Sequence, residues 1–430
     1  MLNNINRANK FKTELFAAII TFFTCSYIII VNSVLLQEAG MPLNWTIIAT
    51  TIVCAVSCVI IGLYAKVPLI IIPGVGETIF FTFTIVKSHG FNYHEGLAVV
   101  LVSGLIFMII SLTPFAKLLN SAIPKVLKDG ITIGIGLFMA FVGLQNSNII
   151  VSSNQTLISL GEWNINTTIS LLILLLALVL FALKVPLSFL ITIILGSIIA
   201  FISKIASFSS DYSIIKFEAL SNNNTALSFS FDKIGDLSFW SLVFSLTILI
   251  VFQNLGTING FGISNTKKFA RSFKSVGASN IISSLLGISS TVVAVESATS
   301  IHSGSKDGRS SVFVGIMFLV SLLFLPLIIS IPSIALSPIL IIIGGLMLMN
   351  IQNIEFNDMT DYIPCYITII MIPLTFDIAT GMGFGFVSYV VINLVCGNIK
   401  KIKYTIDSYY NIIYFKLCIS LIIATLISQI

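Results

Sequence analysis

Long apolar runs, separated by short polar or basic stretches, leave this 430-residue chain little choice of fold. In lipid every backbone N–H and C=O must find a partner inside the protein, so a succession of such runs resolves into a bundle of membrane-spanning helices. Runs that form or seed a span are read at 16–36, 45–63, 69–86, 96–112, 131–144, 169–183 and 185–202. After a polar stretch they resume at 239–255, 276–286, 288–301, 312–331, 334–349, 363–376 and 382–394. Only 9% of the residues are charged while 57% are hydrophobic, against roughly 25% charged in a soluble domain, which excludes a soluble core. The expected fold class is an all-α polytopic membrane protein of about 14 transmembrane spans.

The net charge of +5 does not point to nucleic acid, because the basic residues fall in short clusters between apolar runs rather than on one face. With a cytoplasmic N-terminus, the clusters at 7–12, 117–128, 267–274, 306–309 and 400–403 all lie inside. Only Lys87, Lys204, Lys216 and Lys233 lie outside, the asymmetry of the positive-inside rule. The first run is long enough to be a retained span rather than a signal peptide. A multi-pass cell-membrane protein is expected, divided into a first seven-span repeat (1–206), an extracellular linker (207–236), a second seven-span repeat (237–397) and a basic cytoplasmic segment (398–430). Residues 412–427 of that last segment are apolar and contain Lys416; they form an extra span or an interfacial helix whose lysine snorkels.

An odd number of spans per half inverts the second half relative to the first, and in transporters built this way broken helices near the midplane mark the binding site. Two runs carry such breaks. The third contains Pro73, Gly74 and Gly76, and the tenth opens with Gly287 followed by Ser289, Ser290 and Thr291. Just past each break stands a carboxylate, Glu77 and Glu296. An acid at membrane depth is costly unless it pairs, protonates or lines a watery cavity, so both are functional-site candidates.

Glu296 reads as an acceptor for substrate donors or as a proton-carrying group, against a structural acid paired with a neighbouring helix. Glu77 reads as a second proton site or as a cap on a half-helix N-terminus. Gln253 and Asn254 are neutral amides deep in the eighth run; amides read donors and acceptors on a heterocycle and also glue helices together. Asn32 in the first run reads as mainly structural. Phe80 and Phe81 offer flat rings for stacking on a planar substrate, against a lipid-facing role. His302 reads as a loop histidine and Asp377 as a helix cap. No phosphate-binding loop or metal constellation occurs, so no metal, cofactor or enzymatic reaction is expected.

Several short stretches together resemble a known family. They are Thr13-Glu14 with Tyr27 to Asn32; Pro73-Gly74-Val75-Gly76 with Phe80-Phe81; Ile133 to Phe138 with Phe141 to Leu144; Leu255-Gly256-Thr257; Glu296-Ser297-Ala298 leading to Gly304, Lys306 and Gly308; and Ile370 to Thr375. In that order they resemble the AzgA-type hypoxanthine/guanine/adenine permeases of the nucleobase:cation symporter superfamily, which includes uracil and xanthine permeases. The resemblance implies two inverted seven-span repeats, with a core of spans 1–4 and 8–11 and a gate of spans 5–7 and 12–14. It implies a secondary active importer of a purine nucleobase, hypoxanthine, guanine or adenine, coupled to protons or another cation by alternating access. A carrier of another planar heterocycle and an uncoupled facilitator are the alternatives, and a homodimer is compatible with the reading. The implied substrate-binding set is Glu296, Gln253, Asn254, Ser297 and Thr78, supported by Asn32, Gly76 and Gly256. The chain departs from the family pattern twice. A second acid normally occupies the place of Gln253, and the third span normally continues with a small or apolar residue and an amide where this chain has Glu77-Thr78.

Overall fold

The structure is a computed structural model, and it describes residues 2–113, 124–153, 157–183, 185, 187–205, 227–263, 266–354 and 358–398. The expected helix at 412–427 and residues 207–226 of the expected linker lie outside the described residues. Helices dominate. In chain order they are α1 (Leu2–Cys25), α2 (Ile28–Gln37), α3 (Leu43–Ile60), α4 (Val75–Ile79), α5 (Tyr93–Leu112), α6 (Lys125–Asn146), α7 (Ile165–Ala182), α8 (Ser188–Ile202) and α9 (Leu237–Gly260). They continue with α10 (Thr266–Leu285), α11 (Ser297–His302), α12 (Arg309–Ser321), α13 (Leu325–Ile329), α14 (Ser337–Met347), α15 (Met359–Thr375) and α16 (Ile378–Val395). Among the described residues four short strands interrupt them: β1 (Ile71–Pro73), a hairpin of β2 (Ile150–Ser153) and β3 (Leu157–Leu160), and β4 (Thr291–Val293).

Among the described residues, eight helical stretches are long and apolar enough to cross a membrane, and three shorter apolar helices accompany them. Polar side chains at their ends settle where several begin. Asn92 and Glu95 form a reciprocal capping box on α5, and Asn164 accepts from the Thr167 N–H at the start of α7. The expected cap at Asp377 is present: its carboxylate accepts from the Ala379 N–H at 2.9 Å. On α7 the stripe Leu172, Leu175 and Val179 is more than half exposed, the outward apolar face of a helix whose solvent on that side is lipid.

Helix packing is reciprocal between the two halves. α3 lies against α12 as α10 lies against α5, and α1 lies against α12 as α9 lies against α5. Likewise α7 pairs with α8, and α15 with α16. The motif glycines are contact points in this packing. A Cβ on Gly136 would come within 2.7 Å of the Gly344 carbonyl oxygen, and one on Gly143 within 2.8 Å of that of Ser337. α6 and α14 therefore meet backbone to backbone, which only residues without a side chain permit.

The first run is broken where the sequence reading has it continuous. Ser26 and Tyr27 form a turn between α1 and α2. The expected short ninth run, 276–286, is the C-terminal half of the 20-residue α10, whose serines face inward. Ser272, Ser275, Ser279, Ser283 and Ser284 are all buried. A hydropathy reading scores such a face as solvent-exposed, whereas here it is the interior that is polar.

Candidate functional site

The two expected breaks meet. Pro-Gly in the third span and the serine-rich stretch in the tenth cannot stay helical, and their freed backbone groups find each other as an antiparallel pair, β1 against β4, with Ile71 opposite Val293, Ile72 opposite Val292 and Pro73 opposite Thr291. Flanking bonds lengthen the ladder: Ala294 N–H donates to the Ile70 carbonyl at 2.9 Å and Gly74 N–H to that of Ser290 at 3.1 Å. Short helices leave the crossing on either side, α4 from the third span and α11 from the tenth. Beyond α4 the chain widens into a π-helix, Phe80–Ser88.

Glu296 is the N-cap residue of α11 and partly buried. Its Oε1 accepts from the Tyr27 hydroxyl at 2.6 Å. Tyr27 is delivered by the turn between α1 and α2, and its ring stands edge-on to Phe189 of α8 at 5.4 Å. Sequence reasoning gave Tyr27 no role; its signal is a tyrosine at the break of an apolar run, within the motif Tyr27 to Asn32.

The paired amides divide. Asn254 is fully buried, donates to the Ile250 carbonyl at 2.7 Å, and accepts from the Val293 N–H at 2.9 Å. It clamps α9 to β4. Gln253, next to it, is only partly buried, and Gly256 one turn on is exposed with open space around it. The clamp ties α9 to the strand that leads, three residues on, to Glu296, past the exposed Val295.

Ser297 and Thr78 are both wholly buried and bonded within the protein. The Ser297 hydroxyl accepts from the Ile70 N–H at 3.0 Å. That of Thr78 donates to Asn32 Oδ1 at 2.6 Å and lies 2.7 Å from the hydroxyl of Ser289. Asn32 in turn donates to Thr50 at 2.7 Å. A second chain runs Ser57, Ser279, Thr291, with Asn280 bonding both the N–H and the C=O of Thr291. These hydroxyls and amides replace the hydrogen bonds that a helix would have supplied at this depth.

Phe80 and Phe81 are fully buried in protein rather than turned to lipid. Phe81 stands edge-on to Tyr93 at 5.4 Å, with Gly96 close beneath it; Tyr93 itself donates to the Gly287 carbonyl. Gly76 allows close approach of Ile135 on α6. His302 ends α11 and is exposed.

Glu77 lies in the first turn of α4, fully buried, and neither carboxylate oxygen has a hydrogen-bond partner among the described residues. Glu14, to which the sequence reading assigned no role, is the opposite. It is buried and accepts from the Ser305 hydroxyl at 2.6 Å and from the backbone N–H groups of Lys306, Asp307 and Ser310 at 3.1–3.3 Å. It pins α1 to the loop that leads into α12.

A profile described as a permease family, Xan_ur_permease, matches residues 12–384. The chain is 36% identical over 392 residues to the nucleobase transporter PlAzg2 of Paenibacillus larvae, covering 89% of this chain and 77% of that one. It is 33% identical over 408 residues to the guanine/hypoxanthine permease PbuO of Bacillus subtilis, covering 91% and 93%, and 28% identical over 408 residues to the adenine permease AdeP of Escherichia coli, covering 91% and 89%. Among solved structures the transmembrane domain of a cyanobacterial bicarbonate transporter, BicA, superposes with a TM-score of 0.65 at 15% identity, over 86% of this chain and 97% of that domain. That likeness is one of fold.

Proposed function

The chain belongs to this permease family, and from that premise we propose that it is a secondary transporter of purine nucleobases, importing hypoxanthine or guanine, with adenine a further substrate. It moves its solute without converting it. The observation that carries the assignment to a site is Glu296, held by Tyr27 at the start of α11 where the two broken spans cross. A carboxylate there accepts the ring N–H and exocyclic N–H donors of a purine; a fixed anion at that place disfavours an anionic cargo.

Gln253 completes the polar edge, being the partly exposed member of the amide pair, while Asn254, Ser297 and Thr78 serve the site by holding its backbone in place. Phe80 and Phe81 sit behind the site as packing. Transport follows alternating access between a core of α1–α5 with α9–α13 and a gate of α6–α8 with α14–α16. The reciprocal packing of α3 on α12 and α10 on α5 supports reading residues 1–206 and 237–397 as inverted seven-span repeats. Counting the two β-broken segments and α10 as spans gives about 14 crossings, with the N-terminus cytoplasmic and the cell membrane as location. Protons are the coupling ion, with Glu296 and Glu77 as the two candidate carriers.

Uptake of labelled hypoxanthine, guanine and adenine in cells lacking their own purine permeases tests the reading, with unlabelled bases as competitors. Glu296→Gln is expected to lower kcat/KM for the preferred purine by about a hundredfold or more, the loss of two charge-assisted hydrogen bonds at about 1.5–3 kcal/mol each. Undiminished uptake by that variant removes Glu296 from the site, and competition by pyrimidines but not purines replaces the substrate class.

A further inference from the structure

Glu77 is a carboxylate whose charge nothing among the described residues answers. It is wholly buried and both oxygens lack a hydrogen-bond partner. The elements packed on α4 are α2, α6, α9 and the π-helix that continues α4. α2 and α9 contain no titratable side chain. α6 carries Lys125, Lys128 and Asp129, all in its first turns, and the residue of α6 that meets Gly76 is Ile135, about 9 Å further along the helix from Asp129. Lys87 stands at the far end of the π-helix and is paired with Glu38 at 2.6 Å. Across the crossing, β4 contributes Val292, which would touch a Cβ on Gly74.

An ionised carboxylate in such surroundings loses its hydration without compensation, a cost that a bound proton removes. The carboxyl folds back over Gly74, since a Cβ built there would collide with Oε2. The N–H of the same Gly74 donates to the Ser290 carbonyl, and the Ser290 hydroxyl is a third buried oxygen without a partner. Two unsatisfied groups, one from each broken span, therefore flank one residue of the β1–β4 crossing.

We propose that Glu77 is the proton site of this transporter, separate from the base site at Glu296, with the Ser290 hydroxyl as its neighbour on the opposite broken span. The inference rests on the purine-transport reading and divides its labour: Glu296 holds the base, and Glu77 takes up a proton on one side of the membrane and gives it up on the other. Glu77 lies on α4 of the core, which packs on α6 of the gate, so movement of the core against the gate changes its surroundings and links its protonation to the direction the site faces.

The test uses purified full-length protein in proteoliposomes, with two assays on the same preparation. Counterflow exchange of labelled purine needs no proton movement; uphill accumulation under an inward proton gradient does. A gradient of one pH unit supports about tenfold accumulation at one proton per base. Wild type is expected to show both. Glu77→Gln, an isosteric neutral replacement, is expected to keep counterflow within about twofold while accumulation falls to the external concentration. Infrared spectra of the purified protein supply a readout without transport: the band of a protonated buried carboxyl present in wild type is expected to vanish in Glu77→Gln. Proton-driven accumulation in Glu77→Gln equal to wild type overturns the proposal. So does accumulation driven by a sodium gradient and indifferent to protons, or loss of counterflow together with accumulation in Glu77→Gln. Wild type that exchanges no purine at all instead overturns the transport reading on which it rests.

Discussion

The Tyr27 hydroxyl and the Glu296 carboxylate lie 2.6 Å apart, joining the break in the first apolar run to the break in the tenth. The same tyrosine ring stands edge-on to Phe189 on α8, so one side chain touches the candidate site with its polar end and the proposed gate with its apolar face. Tyr27→Phe keeps the ring and removes the donor. Its expected effect is a weaker apparent affinity for purine, by about tenfold or more, from the loss of one hydrogen bond to a charged group. Initial-rate uptake over a range of purine concentrations reads this as a raised KM.

Gln253 and Asn254 are adjacent amides with separable tasks. Asn254→Leu strands the Val293 N–H inside the protein, at a cost of about 1–3 kcal/mol, and should lower the melting temperature of the purified protein. Gln253→Ala should leave the melting temperature within a degree or two, since its side chain is only partly buried, and should act on purine selectivity instead. Thermal melts and competition uptake on the two variants check the division.

Glu14 accepts from one hydroxyl and three backbone N–H groups at the entrance to α12. Glu14→Ala leaves those donors without their carboxylate. A loss of about 1.5–3 kcal/mol is expected, visible as earlier thermal unfolding, with KM for purine unchanged in the protein that remains folded.

Phe81 is fully buried against Tyr93 and Gly96. Phe81→Ala opens a cavity, and core deletions of this size cost about 3–5 kcal/mol. The expected result is poor expression or a sharply lower melting temperature, without a change in which purines compete. A switch in base preference at normal stability would return Phe81 to the substrate.

Gly136 and Gly344 meet where α6 crosses α14. Gly136→Val forces a side chain between two backbones, and overpacking of this kind costs about 1–3 kcal/mol or displaces one helix. Transport should fall more than stability does, because the proposed gate would close in a shifted position. Paired uptake and melting measurements distinguish that from simple misfolding.

Much of this architecture is legible in the sequence because lipid leaves few solutions. The apolar runs, the two breaks, and the acids just past them follow from periodicity and from where proline, glycine and serine fall. What escapes is whatever the interior does with polar residues. Sequence reasoning sees Ser279 and Asn280 only as part of a short apolar run and Thr291 only as part of a break, whereas their hydrogen bonds are what fasten α10 to β4. Asn254 looks like a partner for a heterocycle until its bond to Val293 is seen. Tyr27 and Glu14 are invisible for the same reason: each acts on a residue more than 250 positions away, and no local pattern marks such a pair. The turn at Ser26-Tyr27 lies in a run whose composition suits a continuous helix, so only the destination of the tyrosine explains the break.

The β1–β4 pair also bears on how the chain reaches its native state. The partner of Ile71 is Val293, about 220 residues downstream. At a synthesis rate of about 5–20 residues per second, the first strand waits on the order of ten seconds or more before its ladder exists. Throughout that interval the nascent third span holds unpaired backbone groups that the bilayer cannot satisfy. Completed insertion of the first half therefore depends on translation of the second, and a ribosome halted before residue 291 leaves a chain for quality-control proteases rather than half a transporter.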